Sequence, residues 1–344
     1  MTSIEALDPT DDEQYAEFHA VYLAAHVDEW DRPYSARELR VTLIDDSEFQ
    51  QVLGFVGRDD SGAAVAVGTI EFTFKDNLDL GFLQIYVPPE RRREGHGTAM
   101  ESYLADLAKA RGRTSLMGEA HWDFGQAGSG HTAFAEARGY HLDLADGHRL
   151  LDLPAALPEA PPRDGYTLHD WRGRTPEEWI DQYADMVSVF IQEAPTGDFP
   201  IENEFYDAAR VRADDQRLID QGRVMQVVVA VSPDGELAGH TQLVFPFADP
   251  GDVYQWGTLV LPAHRGHGLG LSLKVRAMEA ATDLLEGRTY VHTGNALSNE
   301  PMIAVNDALG FRLVGYSGEF VRTVEGRTGR VPGLSERKVN NPEK

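Results

Sequence analysis

Cysteine is absent from all 344 residues. That excludes disulfides, thiolate metal sites and any acyl group carried on a cysteine. Long apolar runs are missing too: no stretch approaches the roughly 18 residues of a membrane-spanning helix. The start, Met1-Thr2-Ser3-Ile4-Glu5, lacks the basic and apolar segments of an export signal, so a cytoplasmic location is expected. Basic side chains are few, 31 Lys and Arg against 56 Asp and Glu, for a formal charge of −25. Nucleic acid requires a basic surface and is excluded as a partner. The acidic field would concentrate a cationic substrate, or it serves solubility alone.

What is present is a duplication. Arg92-Arg93-Glu94-Gly95-His96-Gly97 and Arg265-Gly266-His267-Gly268-Leu269-Gly270 share Arg-x-x-Gly-x-Gly, and the two arginines lie 173 positions apart. Arg138-Gly139-Tyr140 and Leu309-Gly310-Phe311 repeat at nearly the same interval, close to half the chain. Each unit has ordinary domain size, which predicts a tandem pair and not a solenoid. The expected boundaries are 1–153, a proline-rich linker 154–165, 166–325, and a polar tail 326–344.

Within each unit the order of elements repeats. A short strand leads to a helix with a capping signal at Thr10-Asp11-Asp12-Glu13 or Thr175-Pro176-Glu177-Glu178. Hairpins follow, turning at Asp59-Asp60-Ser61-Gly62 and Ser232-Pro233-Asp234-Gly235. Next come an apolar strand ending at Pro89 or Pro262, the glycine loop, an amphipathic helix, a strand, a short helix and a last strand. A glycine loop between strand and helix exposes backbone N–H groups at the positive end of the helix, a site for an anion such as diphosphate. Neither copy ends in the Gly-Lys-Ser/Thr of a Walker-type site. The glycines would also serve a turn with no ligand.

The pattern Val-x-Pro-x-x-Arg-x-x-Gly-x-Gly resembles the GNAT superfamily of acyl-coenzyme A-dependent N-acyltransferases. Val87, Pro89, Arg92, Gly95 and Gly97 carry it in the first half, and Val260, Pro262, Arg265, Gly268 and Gly270 in the second. The closing Leu-Gly-Phe is kept in the second half and is weaker in the first. The resemblance implies an α/β (α+β) fold of two tandem GNAT-like domains, each a mixed, largely antiparallel sheet flanked by helices. It implies acetyl-coenzyme A as donor, with the diphosphate held by Arg265, Gly266, His267, Gly268, Leu269 and Gly270. In the first half Arg92, Arg93, Gly95, His96, Gly97 and Thr98 correspond. Leu259, Val260 and Leu261 would lie along the pantetheine arm, with Asn295 and Asn299 near it, and an N–H of Val260 or Leu261 would serve the oxyanion.

The implied chemistry is direct attack of an amine on the thioester in a ternary complex. An amine of pKa about 10 arrives protonated and needs a proton acceptor. Where the family often has a glutamate, the second half has Tyr254, with Asp252 two residues earlier and His240 as a possible helper; Gly81 and Asp79 are the expected first-half counterparts. Asp252 reads equally as a strand-entry residue. The family's leaving-group tyrosine position is Asn306, and Ala135 in the first half, so catalysis is assigned to the second half through Asp252, Tyr254 and Asn306. The first half is expected to be a degenerate copy. Asp28-Glu29-Trp30-Asp31-Arg32 and Glu193 are placed where an acceptor lid would lie. No metal site is expected from His264, His267, His121, His131, His141 or His148, for want of a third ligand at compatible spacing. The expected partner is a small amine, one for which positive charge is an advantage, taken by a monomer or homodimer. The alternatives are a non-catalytic acyl-coenzyme A sensor and an acyltransferase on a protein or peptide amine.

Overall fold

The computed structural model describes residues 2–27, 32–124, 130–162 and 164–324. Asp28 to Asp31 of the expected lid and the tail 326–344 lie outside the described residues.

The first half runs β1 (Ser3–Ala6), α1 (Asp12–Ala25), α2 (Ala36–Ile44), β2 (Gln50–Arg58), β3 (Ala64–Thr73), β4 (Leu80–Tyr86), α3 (His96–Ala110), β5 (Ser115–Trp122), α4 (His131–Ala137) and β6 (His141–Asp152). The second runs β7 (Thr167–Arg172), α5 (Ile180–Ser188), α6 (Phe190–Glu193), α7 (Ala208–Asp220), β8 (Arg223–Val231), β9 (Leu237–Pro246), β10 (Asp252–Val260), α8 (Leu269–Ala280), α9 (Thr282–Leu285), β11 (Tyr290–Ala296), α10 (Glu300–Leu309) and β12 (Arg312–Thr323). Both hairpins form as expected, with Gly62 and Gly235 at φ of +87° and +86° supplying the backbone the turns require.

The helix starts differ from the sequence reading. Asp11, not Thr10, caps α1, accepting from the N–H groups of Glu13 and Gln14. Helix α5 begins at Ile180, well past Thr175. Thr175 is instead buried and tied to α7, its N–H donating to Asp215 Oδ2 at 2.8 Å. The second helices α2 and α7 escaped the sequence reading, although Ser35 and Glu38 form a complete capping box at the start of α2.

All twelve strands make one sheet, in the order β1-β2-β3-β4-β5-β12-β6-β11-β10-β9-β8-β7. Only β4/β5 and β10/β11 are parallel. The last strand of each half crosses to the other: β12 pairs with β5, β6 pairs with β11, and the two pair with each other. Alternating side chains separate the layers. In the first half Phe55, Ile70 and Phe72 pack with Met100 and Leu104 of α3, while Val52, Val56 and Val67 pack with Tyr15 and Phe18 of α1 and Leu39 of α2. The second half repeats this, with α8 on one face and α5 and α7 on the other.

Further contacts join the halves. Arg223 and Glu38 form a buried pair at 2.7 Å, and Arg210 and Asp76 another at 2.5 Å. Removing one member of such a pair leaves the other charged and buried, at a cost of about 3–5 kcal/mol.

Candidate active site

In both halves the parallel pairing is brief. Strand β10 meets β11 only from Asp252 to Tyr254, and β4 meets β5 only from Leu80 to Phe82. Beyond those points the ladders end and leave a cleft. The halves then diverge: β10 carries a bulge against β9 between Gln255 and Thr258, whereas β4 pairs with β3 in unbroken register. A bulge adds one residue and re-aims the strand, a device often found beside active sites. Gly239 accommodates the resulting close approach, since a Cβ there would stand 2.5 Å from the Leu259 carbonyl oxygen. The extra residue also corrects the correspondence between halves. By register and face, Tyr254 matches Phe82 and Asp252 matches Leu80, not Gly81 and Asp79.

Past the bulge, Leu261 N–H donates to Ala238 O at 2.9 Å. Alternation in the ladder turns the Val260 N–H the other way, toward the side from which β11 has parted. At the strand's end, Gly266 and Gly268 take φ of +86° and +73°, and no atom lies within 4 Å of where a Cβ would stand on either. Gly268 is the N-cap of the twelve-residue α8 and no side chain caps the helix, so its first N–H groups are available to a ligand. Gly270 lets α8 approach α10, its missing Cβ 3.6 Å from Val305. Arg265 braces the loop, with Nε donating to Val260 O at 3.1 Å and Nη2 paired with Glu193 at 2.6 Å. His267 Nδ1 is 2.6 Å from Asp164.

The first-half loop has the same path with different chemistry. Arg92 braces it through Val87 O and Ala25 O. Arg93 takes the left-handed φ of +67° that Gly266 takes in the second half, at a cost of about 1 kcal/mol or more. His96 is buried between Thr2 and Glu94. Beside Gly95, with Gly97 and Thr98 behind it in α3, lies a cavity of about 490 Å³ whose lining includes Asp59, Asp60 and Glu94. Three carboxylates there oppose an anion. Arg91 stands among these carboxylates, paired with Asp59 at 2.8 Å and Glu94 at 3.2 Å, and offsets them in part; the positions that match the three in the second half are Ser232, Pro233 and His267.

Asp252 and His292 form the polar centre of the cleft. Asp252 Oδ1 is 2.9 Å from His292 Nε2, and both side chains are only 2–3% exposed. Asp252 Oδ2 pairs with Arg32 of the first half at 2.9 Å. Burial raises the Asp252 carboxyl, but the hydrogen bond and charge from His292, with the Arg32 guanidinium, outweigh it and hold the group below the usual range. Neighbouring Asp249 moves the other way, raised by burial and by the Asp252 charge. His292 Nδ1 in turn lies 3.1 Å from Nε2 of His148 on β6, and the Tyr254 ring lies beside the His292 ring. Burial and the two aspartates push the Tyr254 phenol up, making it a weak acid. His240 is not part of this group. It is buried beside Tyr183 and Phe190, and burial lowers it to about 4.

The remaining predicted residues are held by the protein itself. Asn299 caps α10 by accepting from Met302 N–H. Asn295 Nδ2 donates to Ala296 O, and its Oδ1 accepts from Asn306 Nδ2 at 3.0 Å. Asn306 is fully buried, and its Oδ1 accepts from Lys274 Nζ at 2.7 Å. Lys274, at the position of Glu101 in the first half, is 1% exposed, and burial lowers its amine from 10.5 to about 7. Between pH 7 and 10.5 the folded chain therefore binds fewer protons here than the unfolded chain, so stability gains about 1.4 kcal/mol per pH unit from this group as pH rises. Lys274→Met is expected to flatten that rise, as measured by urea midpoints across the window.

The sequence reading did not find His292 or the role of His148. No local signal marks either, because one reaches Asp252 through parallel pairing and the other through strand exchange. On the same sheet face, two residues from His148, Asp146 is raised to about 6 by burial and Glu119, and Glu319 to about 7 by burial with Asp146, Glu119 and Asp143. Among the described residues no group of three or more such side chains is placed to hold a metal ion, and no helix is long and apolar enough to cross a membrane.

The sequence profile of the acetyltransferase (GNAT) family matches residues 15–127 and again 188–311. The fold is similar to a tandem GNAT protein from the clavulanic acid biosynthesis pathway, with a TM-score of 0.77 and 26% identity over 96% of this chain and 100% of that one. It is also similar to a GCN5-related N-acetyltransferase from Sphaerobacter thermophilus (TM-score 0.65, 18% identity, 97% and 98% coverage). A putative acetyltransferase from Pyrococcus horikoshii gives a TM-score of 0.55 at 11% identity, over 94% of this chain and 90% of that one. No curated protein matches the chain. Two profile matches and a full-length tandem counterpart agree with the two clefts and glycine loops: the chain belongs to the acetyltransferase (GNAT) family, as a tandem acyltransferase of a family that uses acetyl-coenzyme A.

Proposed function

We propose that the second half transfers an acetyl group from acetyl-coenzyme A to the primary amine of a small molecule, directly and within a ternary complex. The observation that carries this reading is the combination of an uncapped α8 behind Gly266 and Gly268 with a bulged β10 that parts from β11. The open loop suits a diphosphate, and the unpaired edge of β10 suits an extended pantetheine arm added as a strand. The donor supplies the activated acyl group. The chain's own part is to hold it, to offer the Val260 N–H to the developing oxyanion, and to accept a proton from the amine.

Asp146 and Glu319 support a cationic acceptor. Asp146 is raised by burial and the Glu119 charge, and Glu319 by burial and the charges of Asp146, Glu119 and Asp143, so an ammonium group beside them would relieve that repulsion and favour their ionised forms. Lack of cysteine favours direct transfer over a thiol-bound intermediate. The first half, with carboxylates at its loop, is read as a scaffold that completes the acceptor cleft through Arg32 and β6.

Incubation with acetyl-coenzyme A and each of spermidine, tyramine, glucosamine and a lysine-containing tripeptide, followed by free-thiol release and product mass, tests this. Turnover of a small amine is expected. Binding of acetyl-coenzyme A without turnover of any amine would favour a sensor, and turnover of the tripeptide alone a peptide acyltransferase.

A further inference from the structure

We propose that the acceptor amine carries an aromatic ring, and that Trp256 of the second half and Tyr34 of the first half select it. The inference rests on the transfer reading given above and deepens it by naming the substrate class.

The bulge in β10 places aromatic surface beside the edge that would hold the thioester. Trp256 lies within the bulge, two residues past Tyr254 and two before Thr258, and is 39% exposed although β10 is an inner strand of the sheet. Tyr34 reaches the same place from the first half and is 44% exposed. Arg223 brings the two together: its guanidinium lies 4.9 Å from the centre of the Tyr34 ring and 5.7 Å from that of the Trp256 ring. That guanidinium is buried and paired with Glu38, so the rings roof an ion pair whose charges cancel. The backbone of Tyr34 is held on both sides, its N–H by the Tyr22 hydroxyl at 3.0 Å and its carbonyl by His19 Nε2 at 3.0 Å. Phe190 of α6 also lies against the bulge, its ring 3.1 Å from where a Cβ on Gly257 would stand. Single exposed rings are ordinary, but rings from both halves converging beside a strand edge make a patch with a purpose.

Polar groups around this patch are already committed. Gln255 Nε2 donates to Thr241 Oγ1 and Gln242 O. Asp252 is shared by His292 and Arg32, and Glu38 holds Arg223 and the Ser35 N–H. The Tyr254 hydroxyl has no hydrogen-bond partner among the described residues. An acceptor entering here finds one hydroxyl for its nitrogen and ring surface for the rest. Sugar hydroxyls would give up water to these rings with no hydrogen bond in return. An aromatic acceptor packs its edge or face on them with a gain that a saturated ring of equal size lacks.

The amines 2-phenylethylamine and 2-cyclohexylethylamine, alike in size and different in their π system, test this on the whole protein. Wild type is expected to bind the first about 10-fold more tightly by calorimetry without donor, and to turn it over with a kcat/KM higher by a similar factor. Trp256→Ala and Tyr34→Ala, placed in different halves, should each erase most of that preference and raise the KM for 2-phenylethylamine. Both should leave the KM for acetyl-coenzyme A and the urea midpoint unchanged, and Trp256→Phe should keep the preference. Equal handling of the two amines by wild type overturns the inference. So does a loss confined to the KM for acetyl-coenzyme A, which would place the donor on Trp256, or a wild-type dimer that Trp256→Ala dissociates, which would place a second copy there. Each of these results leaves the transfer reading intact, whereas no turnover of any amine sinks both.

Discussion

Gly268→Asp is expected to weaken acetyl-coenzyme A binding at least about 100-fold in titration calorimetry, while Gly95→Asp changes it little. The two positions match, and both are N-caps in the left-handed region, at +73° and +93°. Both have open space where a Cβ would stand, so crowding by the protein contributes nothing. Left-handed strain, about 1–2 kcal/mol, is common to the two substitutions. What differs is the expected ligand. A carboxylate about 4 Å from a phosphate costs about 1 kcal/mol in water and about 4 kcal/mol at the dielectric of a protein surface, enough for a loss of two to three decades. At Gly95 the three carboxylates Asp59, Asp60 and Glu94 outnumber the one guanidinium among them, Arg91, and already disfavour the anion. Gly268→Ala separates the terms, because it keeps the strain and omits the charge; it should lose at most about a decade. Equal loss from Gly95→Asp would move the donor site into the first half.

The glycine loops were legible in the sequence because their conformation is a local property of residue type. Gly95 and Gly268, the first glycines of the two Arg-x-x-Gly-x-Gly copies, occupy the left-handed region, as does Gly266 at one of the variable positions. The hairpin turns at Gly62 and Gly235 were legible for the same reason. What escaped was set by pairing at long range. A constant offset between halves assigned Gly81 to Tyr254, but one inserted residue in β10 shifts the comparison and exchanges the faces. Asp252 was singled out, yet its partner on the neighbouring strand is His292 and not His240, a matter of which strand lies alongside. Asn306 was read from the family's position as facing sulfur. Its amide is committed to Lys274 and Asn295, an internal network for which a lysine on the helix face gave no advance sign.

Strand exchange leads to the second large expected effect: neither residues 2–153 nor residues 154–324 should fold alone, while the two pieces mixed should regain one cooperative transition. In the first piece β5 would lose β12, its partner along eight residues, and Phe320 and Val324 would leave a core built around Leu104, Leu116 and Phe72. The second piece would lose β6 beside β11 and Leu151 against Val291 and Phe311. Each lost aromatic or aliphatic anchor is worth about 2–5 kcal/mol, and an exposed β5 edge is a template for aggregation. Net stability of a domain is about 5–15 kcal/mol, so the loss is enough to unfold either piece. Phe320→Ala in the intact chain is the milder form. It should cost about 3–5 kcal/mol and expose amides of α3 and β5 to hydrogen exchange, although the substitution lies near the far end of the sequence. A first piece that alone gives a sharp urea transition and protected β5 amides would mean that β6 can close onto β5. The cleft between β10 and β11 would then no longer depend on the exchange that brings His148 to His292.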